Sequence, residues 1–319
     1  EIFSSLYPEA NSVVGNWSGS IGTHIRLTDA LGRTVDDVNF ATDGDWAQRR
    51  LGEVDNGHRG WEWYCEHDGL GKSLELVNRA FSNEYALNWA DSTAAGGTPG
   101  KVNSTDTDNA APIIIEVAHR PILPSPNDPV TITAAVLDED LSGVQTTLFW
   151  RVDGQSEFQS LPMSDDGLHG DGLANDGVYA ASLAPLAQGT IVEFWIQSID
   201  LQENKRVYPN LILPTDSART ANLLYQVDGN SYEGPNPRYY IIMREIERAE
   251  LQQLGSRSPD AMSDAKMNAT WISRDGIDNN AKIQYRYNAG VRNRGNGTRT
   301  DRPHNYHVEI PSDRRWKDM

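Results

Sequence analysis

The sequence predicts a mainly β protein: two β-sandwiches, the first incomplete, followed by a truncated α+β segment. Three observations predict it. Short alternating runs bracketed by turn residues fill residues 4–104, seven strand-like runs lie between Ile113 and Asp228, and the spacing turns helical after Gly234-Pro235-Asn236-Pro237. Apolar residues in strict alternation argue half-buried strands, whereas apolar residues three and four apart argue a helix.

In the first region, His24-Ile25-Arg26-Leu27 and Val35-Asp36-Asp37-Val38-Asn39-Phe40 flank Asp29-Ala30-Leu31-Gly32. An aspartate that bonds its own downstream backbone and a glycine that tolerates positive φ make this a hairpin turn. Small and polar residues at Gly96-Gly97-Thr98-Pro99-Gly100 and from Ser104 to Pro112 mark a boundary, with 105–112 as linker. The second region, 113–230, carries runs near 113–119, 130–137, 145–152, 159–163, 178–183, 191–199 and 222–228, the number expected of an immunoglobulin-like sandwich. Trp150 on the third run is a candidate buried anchor. In the third region, 231–319, a strand at Tyr239 to Met243 precedes Arg244 to Leu254, where Ile246, Ala249, Leu251 and Leu254 are compatible with a short helix.

The chain has 319 residues, enough for two or three domains, and 28 basic against 45 acidic residues give a formal net charge of −17. Such a surface repels nucleic acid. One cysteine, Cys65, forms no intrachain disulfide and reads as a buried, inert thiol. No apolar run reaches the length of a membrane helix, so no transmembrane segment is expected in this chain. Glu1 and Met319 both read as cuts in a longer polypeptide, so the missing targeting segments say nothing about destination.

The loop from Ser164 to Gly177, SDDGLHGDGLANDG, sets Asp165, Asp166, Asp171 and Asp176 among glycines. Alternating strand direction brings it to the same end of the sandwich as Asp138, Glu139 and Asp140 and as Asp200 and Glu203. Two chemistries fit: aspartates capping tight turns, or a Ca²⁺ site built from Asp138, Asp140, Asp165, Asp166, Asp171, Asp176 and Asp200. The spacing does not match an EF-hand loop. Trp61 and Trp63, two apart and so on one face of an extended strand, are candidates for stacking carbohydrate or for core packing.

From Lys282 to Met319 the charge reverses to nine basic against four acidic residues. There Arg292, Arg294 and Arg299 stand beside glycines whose amides approach an anion closely, a pattern that serves either phosphate binding or structural ion pairs. His304 and His307 fall on opposite faces of a strand and are poor joint metal ligands. No nucleophile elbow, zincin helix or Cys-His framework occurs.

Three family resemblances follow from these motifs. Gly15-Asn16-Trp17-Ser18-Gly19, Ile25 to Asp29, Gly44-Asp45-Trp46, Ser73 to Asn78, Asn88-Trp89-Ala90 and Gly97-Thr98-Pro99-Gly100 together resemble a bacterial lamin-tail domain over residues 1–104, its opening strands missing. That implies an immunoglobulin-like attachment module of extracellular proteins with Trp17, Trp46 and Trp89 as core anchors. Asp165 to Tyr179 and Trp150-Arg151-Val152-Asp153-Gly154 resemble bacterial immunoglobulin- or fibronectin-like spacers. Gly290 to Arg299, followed by His304 to Pro311, resembles the N-terminal part of the spore-coat-protein-H-like (CotH) kinase family over 238–319. That family's activity implies ATP and Mg²⁺ as cofactors of a full-length domain, with its catalytic acids beyond Met319. The expectation is a non-catalytic interaction and spacer scaffold within a secreted or cell-surface bacterial multidomain protein, binding extracellular protein or surface components. The alternatives are the accessory part of a CotH-like kinase and a carbohydrate-binding module.

Overall fold

A computed structural model describes residues 5, 7, 8, 10, 22–213, 218–230, 234, 236–256, 259–276, 281–295, 298–314 and 316. Trp17 and its flanking motif, Gly297 of the arginine-rich loop and the final residues of the chain lie outside this set. The chain is mainly β, with several sheets around an immunoglobulin-like sandwich.

The first segment opens with the predicted hairpin, β1 (His24–Thr28) and β2 (Thr34–Asn39). Asp29 Oδ1 accepts the amides of Leu31 and Arg33, and Gly32 has φ 76°, so the turn forms for the reason the sequence gives. Next come the antiparallel pair β3 (Gln48–Asp55) and β4 (His58–Tyr64) and the short pair β5 (Leu74–Leu76) and β6 (Trp89–Asp91). Trp46 and Trp89 pack with ring centroids 6.1 Å apart. Cys65 is buried, and burial pushes its thiol up to about 11, which keeps it protonated and unreactive.

The central sandwich faces a three-stranded sheet, in the order β11 (Val178–Leu183), β8 (Val130–Leu137), β7 (Ile113–Arg120), against a five-stranded one. The second runs β10 (Gln159–Pro162), β9 (Gln145–Val152), β12 (Ile191–Ile199), β13 (Lys205–Tyr208). Alternation drives it: Val130, Ile132, Ala134 and Val136 of β8 are buried while their neighbours are half-exposed. They meet Leu148, Phe194 and Ile196 of the facing sheet in the largest core of the molecule. Each fully buried aliphatic or phenyl side chain stabilises by about 1.5–3 kcal/mol. Trp150 lies at the margin of this core and Phe194 at its centre.

The last strand of the sandwich is split. β13 pairs with Ile196–Ile199 of β12, and β15 (Leu223–Gln226) pairs with Ile191–Phe194 of the same strand. Between them the chain leaves the sandwich, and β14 (Leu211–Ile212) runs parallel to β3 of the first segment. Ala221 and Leu211 then join Leu51 and Trp61 in a small shared core.

The third segment is an antiparallel sheet, β16 (Arg238–Ile242), β17 (Met267–Asp275), β18 (Lys282–Asn293) and β19 (Tyr306–Glu309), with helix α1 (Glu245–Leu254) against it. Leu251 and Leu254 of α1 pack on Met267, Ala269 and Val291. Elsewhere, Ile242 and Ile272 pack against Ile122, Ile191 and Leu224 of the sandwich. The helix is where the sequence predicts it, and beside Leu251 and Leu254 it buries Glu247, 1% exposed, while Ile246 is 39% exposed.

Candidate functional site

The buried charge on the helix has its partners at hand. Glu247 Oε1 accepts Arg219 Nε at 2.7 Å and the Trp61 indole N–H at 3.1 Å, while Oε2 accepts Arg219 Nη2 and the Asn268 amide, each at 2.9 Å. Arg219 Nη1 also donates to the Arg59 carbonyl. Arg219 belongs to the excursion between β14 and β15, Trp61 and Arg59 to β4, and Asn268 to β17, so all three segments meet on one buried carboxylate. A second buried pair repeats the device: Glu193 of β12 accepts Arg151 Nε at 2.7 Å and lies 3.3 Å from Arg244, which also bonds Asp153. Buried ion pairs persist only when every lone pair and N–H is answered, and here the answers come from different segments.

The same three segments enclose a cleft of about 400 Å³. Asp45 is among the lining residues: Oδ1 accepts the Tyr208 hydroxyl at 3.0 Å and Oδ2 accepts Arg314 at 2.9 Å. Burial pushes the Asp45 carboxyl above the usual carboxylate range against the pull of Arg314, and burial likewise raises the Tyr208 phenol well above its usual value. Asp313 accepts the Asp45 amide at 3.2 Å and pairs with Arg286. Gly44 permits this approach, because a Cβ there would stand 2.2 Å from Asp313 Cγ. Trp63 forms part of the wall, with the Arg49 guanidinium 4.6 Å from its ring centroid. Burial lowers the Arg49 guanidinium to about 10.

Residues Ile283 to Asn288 of β18 also line it. β19 pairs with β18 only from Gly290 to Asn293, so Gln284 and Asn288 lie on the stretch of β18 that β19 does not cover. Gln284 Oε1 and Asn288 Oδ1 are buried and accept no hydrogen bond, and Asn288 as a whole is 7% exposed.

The predicted site residues fare differently. The aspartate-bearing loops do gather at one end of the sandwich: the charges of Asp200 and Glu139 act on Asp138, and those of Asp138 and Asp165 act on Tyr179. The carboxylates, however, are occupied by backbone amides. Asp171 accepts those of Gly167 and His169, Asp165 those of Asp176 and Gly177, Asp176 those of Leu173 and Val178, and Asp166 that of Leu168. Asp140 caps a 3₁₀ turn through Ser142, and Asp200 accepts the Gln202 and Asn204 amides. Asp138 Oδ1 takes the Asp140 amide, while its Oδ2 is buried without a partner and burial raises the carboxyl. Among the described residues, no three metal-ligating side chains are grouped to hold an ion.

Arg292 and Arg299 converge, but on Asp264, at 3.2 and 2.5 Å. Arg299 also donates to the carbonyls of Gly295, Ala261 and Ser263, so its guanidinium clasps the β18–β19 hairpin to the 261–264 turn and offers no free fork to a phosphate. Arg294 is exposed and stands apart from that clasp. Trp61 is 1% exposed, with the Arg219 guanidinium 5.8 Å from its ring centroid, so core packing claims it and no face is left for a sugar. Trp63 reaches the cleft instead. Sequence reading missed Glu247, Asp45, Asp313, Gln284 and Asn288 as site residues; the one signal was a charged residue between the apolar positions of the helical run at 246–254.

Comparison with known families places one part of the chain. Residues 132–197, from β8 to β12, match the model of the conditioned medium factor second Ig-like domain. No curated protein matches the chain. The central sandwich is thus similar to an immunoglobulin-like domain by sequence as well as by strand order, which supports a scaffold or interaction role.

Proposed function

We propose that this chain is a non-catalytic interaction and spacer scaffold of a secreted or cell-surface multidomain protein. The observation that carries the reading is the joint at Glu247, where all three segments bond to one buried carboxylate. A spacer transmits position only if its parts do not swing, and flexible linkers between modules allow swinging by default. Here the strand split and the shared core of Leu51, Trp61 and Ala221 remove that freedom. The immunoglobulin-like domain supports the same reading, since such sandwiches present loops and faces to partners from a stable frame.

Spin labels at Leu31 on the first hairpin and Leu168 on the sandwich loop, both exposed, test it. Pulsed dipolar spectroscopy is expected to give one narrow distance distribution, unchanged by temperature. A broad distribution sinks the proposal, as does ATP turnover by the isolated chain.

A further inference from the structure

We infer that a second cleft, where the β9–β10 turn meets Ala218 to Thr220 and the residue before α1, is a binding site for a small organic carboxylate with an apolar body. The inference goes beyond the scaffold role and does not need it.

Arg151, Arg219 and Arg244, each 7% exposed, line this cleft of about 440 Å³, and among the described residues no acidic one lines it. Their anions lie behind the wall. Glu193, 0% exposed, accepts Arg151 Nε on Oε2 at 2.7 Å, and Arg244 Nε lies 3.3 Å from the same oxygen. Asp153 accepts Arg244 Nε at 3.1 Å, and Glu247 accepts Arg219. Each ion pair is therefore a dipole whose positive end faces the cleft, and fixed dipoles so aligned favour an anion even where their charges sum to zero.

The internal partners use only part of the donor set. Arg151 gives Nε to Glu193 and Nη1 to the Ser156 carbonyl, while Arg244 gives Nε to Asp153 and Nη1 to the Thr220 hydroxyl. Among the described residues neither Nη2 has a partner, and neither is among the nitrogens sealed from the surface. The two guanidiniums stand side by side because they share Glu193 Oε2. A guanidinium has donors and no acceptor, so its complement is a group with acceptors only, and a carboxylate can take one N–H from each arginine. Such charge-assisted bonds are about twice as strong as neutral ones. The Phe158 ring centroid lies 4.2 Å from Arg151 Cζ, so the stack holds that guanidinium in place before a ligand arrives.

The other walls select the body of the ligand. Phe158, Ala218 and Leu213, the last 60% exposed, offer apolar surface in the same cleft. With Glu193, Asp153 and Glu247 already balancing the three guanidiniums, one added negative charge is accommodated more readily than the two of a phosphate monoester. The volume falls within the range of small-ligand sites, roughly 300–1,000 Å³.

Calorimetry and saturation-transfer NMR on the intact chain with N-acetyl-leucine, its neutral amide and inorganic phosphate test the inference. N-acetyl-leucine is expected to bind saturably with Kd of about 1 mM or tighter, and the amide and phosphate at least about 10-fold more weakly. Gln155→Glu keeps the oxygen that accepts the Val152 amide and sets a carboxylate on the cleft wall, whereas Arg151→Lys keeps a cation for Glu193 and removes Nη2. Each is expected to weaken binding about 10-fold or more. Gln145→Glu makes the same charge change at the exposed start of β9 and is expected to leave affinity unchanged. Melting temperatures identify any variant that unfolds, and if Arg151→Lys does so, Gln155→Glu, in an exposed turn, decides. Absence of saturable N-acetyl-leucine binding, equal affinity for the amide, tighter binding of phosphate, affinity indifferent to Gln155→Glu, or affinity lost with Gln145→Glu overturns the assignment.

Discussion

Replacing Glu247 by alanine tests the joint that organises the molecule. The side chain is 1% exposed and accepts four hydrogen bonds, two of them from the Arg219 guanidinium, which is itself 7% exposed. Removing the carboxylate strips that buried guanidinium of two charge-assisted hydrogen bonds, and breaking such a pair costs about 3–5 kcal/mol. Alanine is the best helix former, so the intrinsic propensity of α1 works against this loss rather than adding to it. Urea denaturation followed by tryptophan fluorescence measures the change. Glu247→Ala combined with Arg219→Met is expected to recover at least about 2 kcal/mol relative to Glu247→Ala, because no charge is then stranded in the interior. A loss below about 1 kcal/mol for Glu247→Ala, or strictly additive effects in the double variant, refutes the reasoning.

Further outcomes follow from other buried groups. His119 is fully buried, donates Nε2–H to the Ile122 carbonyl and accepts the Tyr287 hydroxyl at Nδ1, and burial lowers its imidazole to about 4 from a usual 6.5. The unfolded chain takes up that proton first, so this residue's share of stability is complete above pH 6.5 and falls away as the pH drops towards 4, a loss of about 3 kcal/mol. Acid titration of unfolding free energy in the native chain and in His119→Gln is expected to show a shallower slope in the variant across that window; equal slopes contradict it. Asp171→Ala removes the acceptor of the Gly167 and His169 amides and is expected to cost about 0.5–1.5 kcal/mol in thermal unfolding, with Ca²⁺ absent throughout. Arg299→Ala opens the clasp on Ala261, Ser263 and Asp264, so amide hydrogen exchange is expected to quicken in the 259–266 turn and the β18–β19 hairpin while the sandwich core is unchanged.

Most of the sandwich was legible along the chain. Seven of its strands lie where alternation and turn residues put them, because a pleat turns every second side chain inward and β8 buries Val130, Ile132, Ala134 and Val136 in that order. The first hairpin was legible for the same reason, its turn being closed by Asp29 and its own neighbours. β13 and β14 were not foreseen: Lys205–Tyr208 and Leu211–Ile212 carry too few apolar positions to show a period, and their pairing depends on the edge of β12 and on β3. The aspartate loop shows the limit of composition, since turn caps and cation ligands draw on the same residue type; that Asp165, Asp166, Asp171 and Asp176 each accept backbone amides is visible only in the folded loop.

The amino-acid sequence by itself determined the mainly β class, the central sandwich, the position of α1 and the buried thiol of Cys65, because each depends on local periodicity or on residue type. Tertiary structure alone decided that Glu247 rather than Ile246 faces inward, that Trp61 is core while Trp63 reaches a cleft, and that Asp45 meets Asp313. The physical reason is distance along the chain: Glu247 and Trp61 are 186 residues apart and Asp45 and Asp313 are 268 apart, and no local pattern encodes which distant group will answer a buried charge.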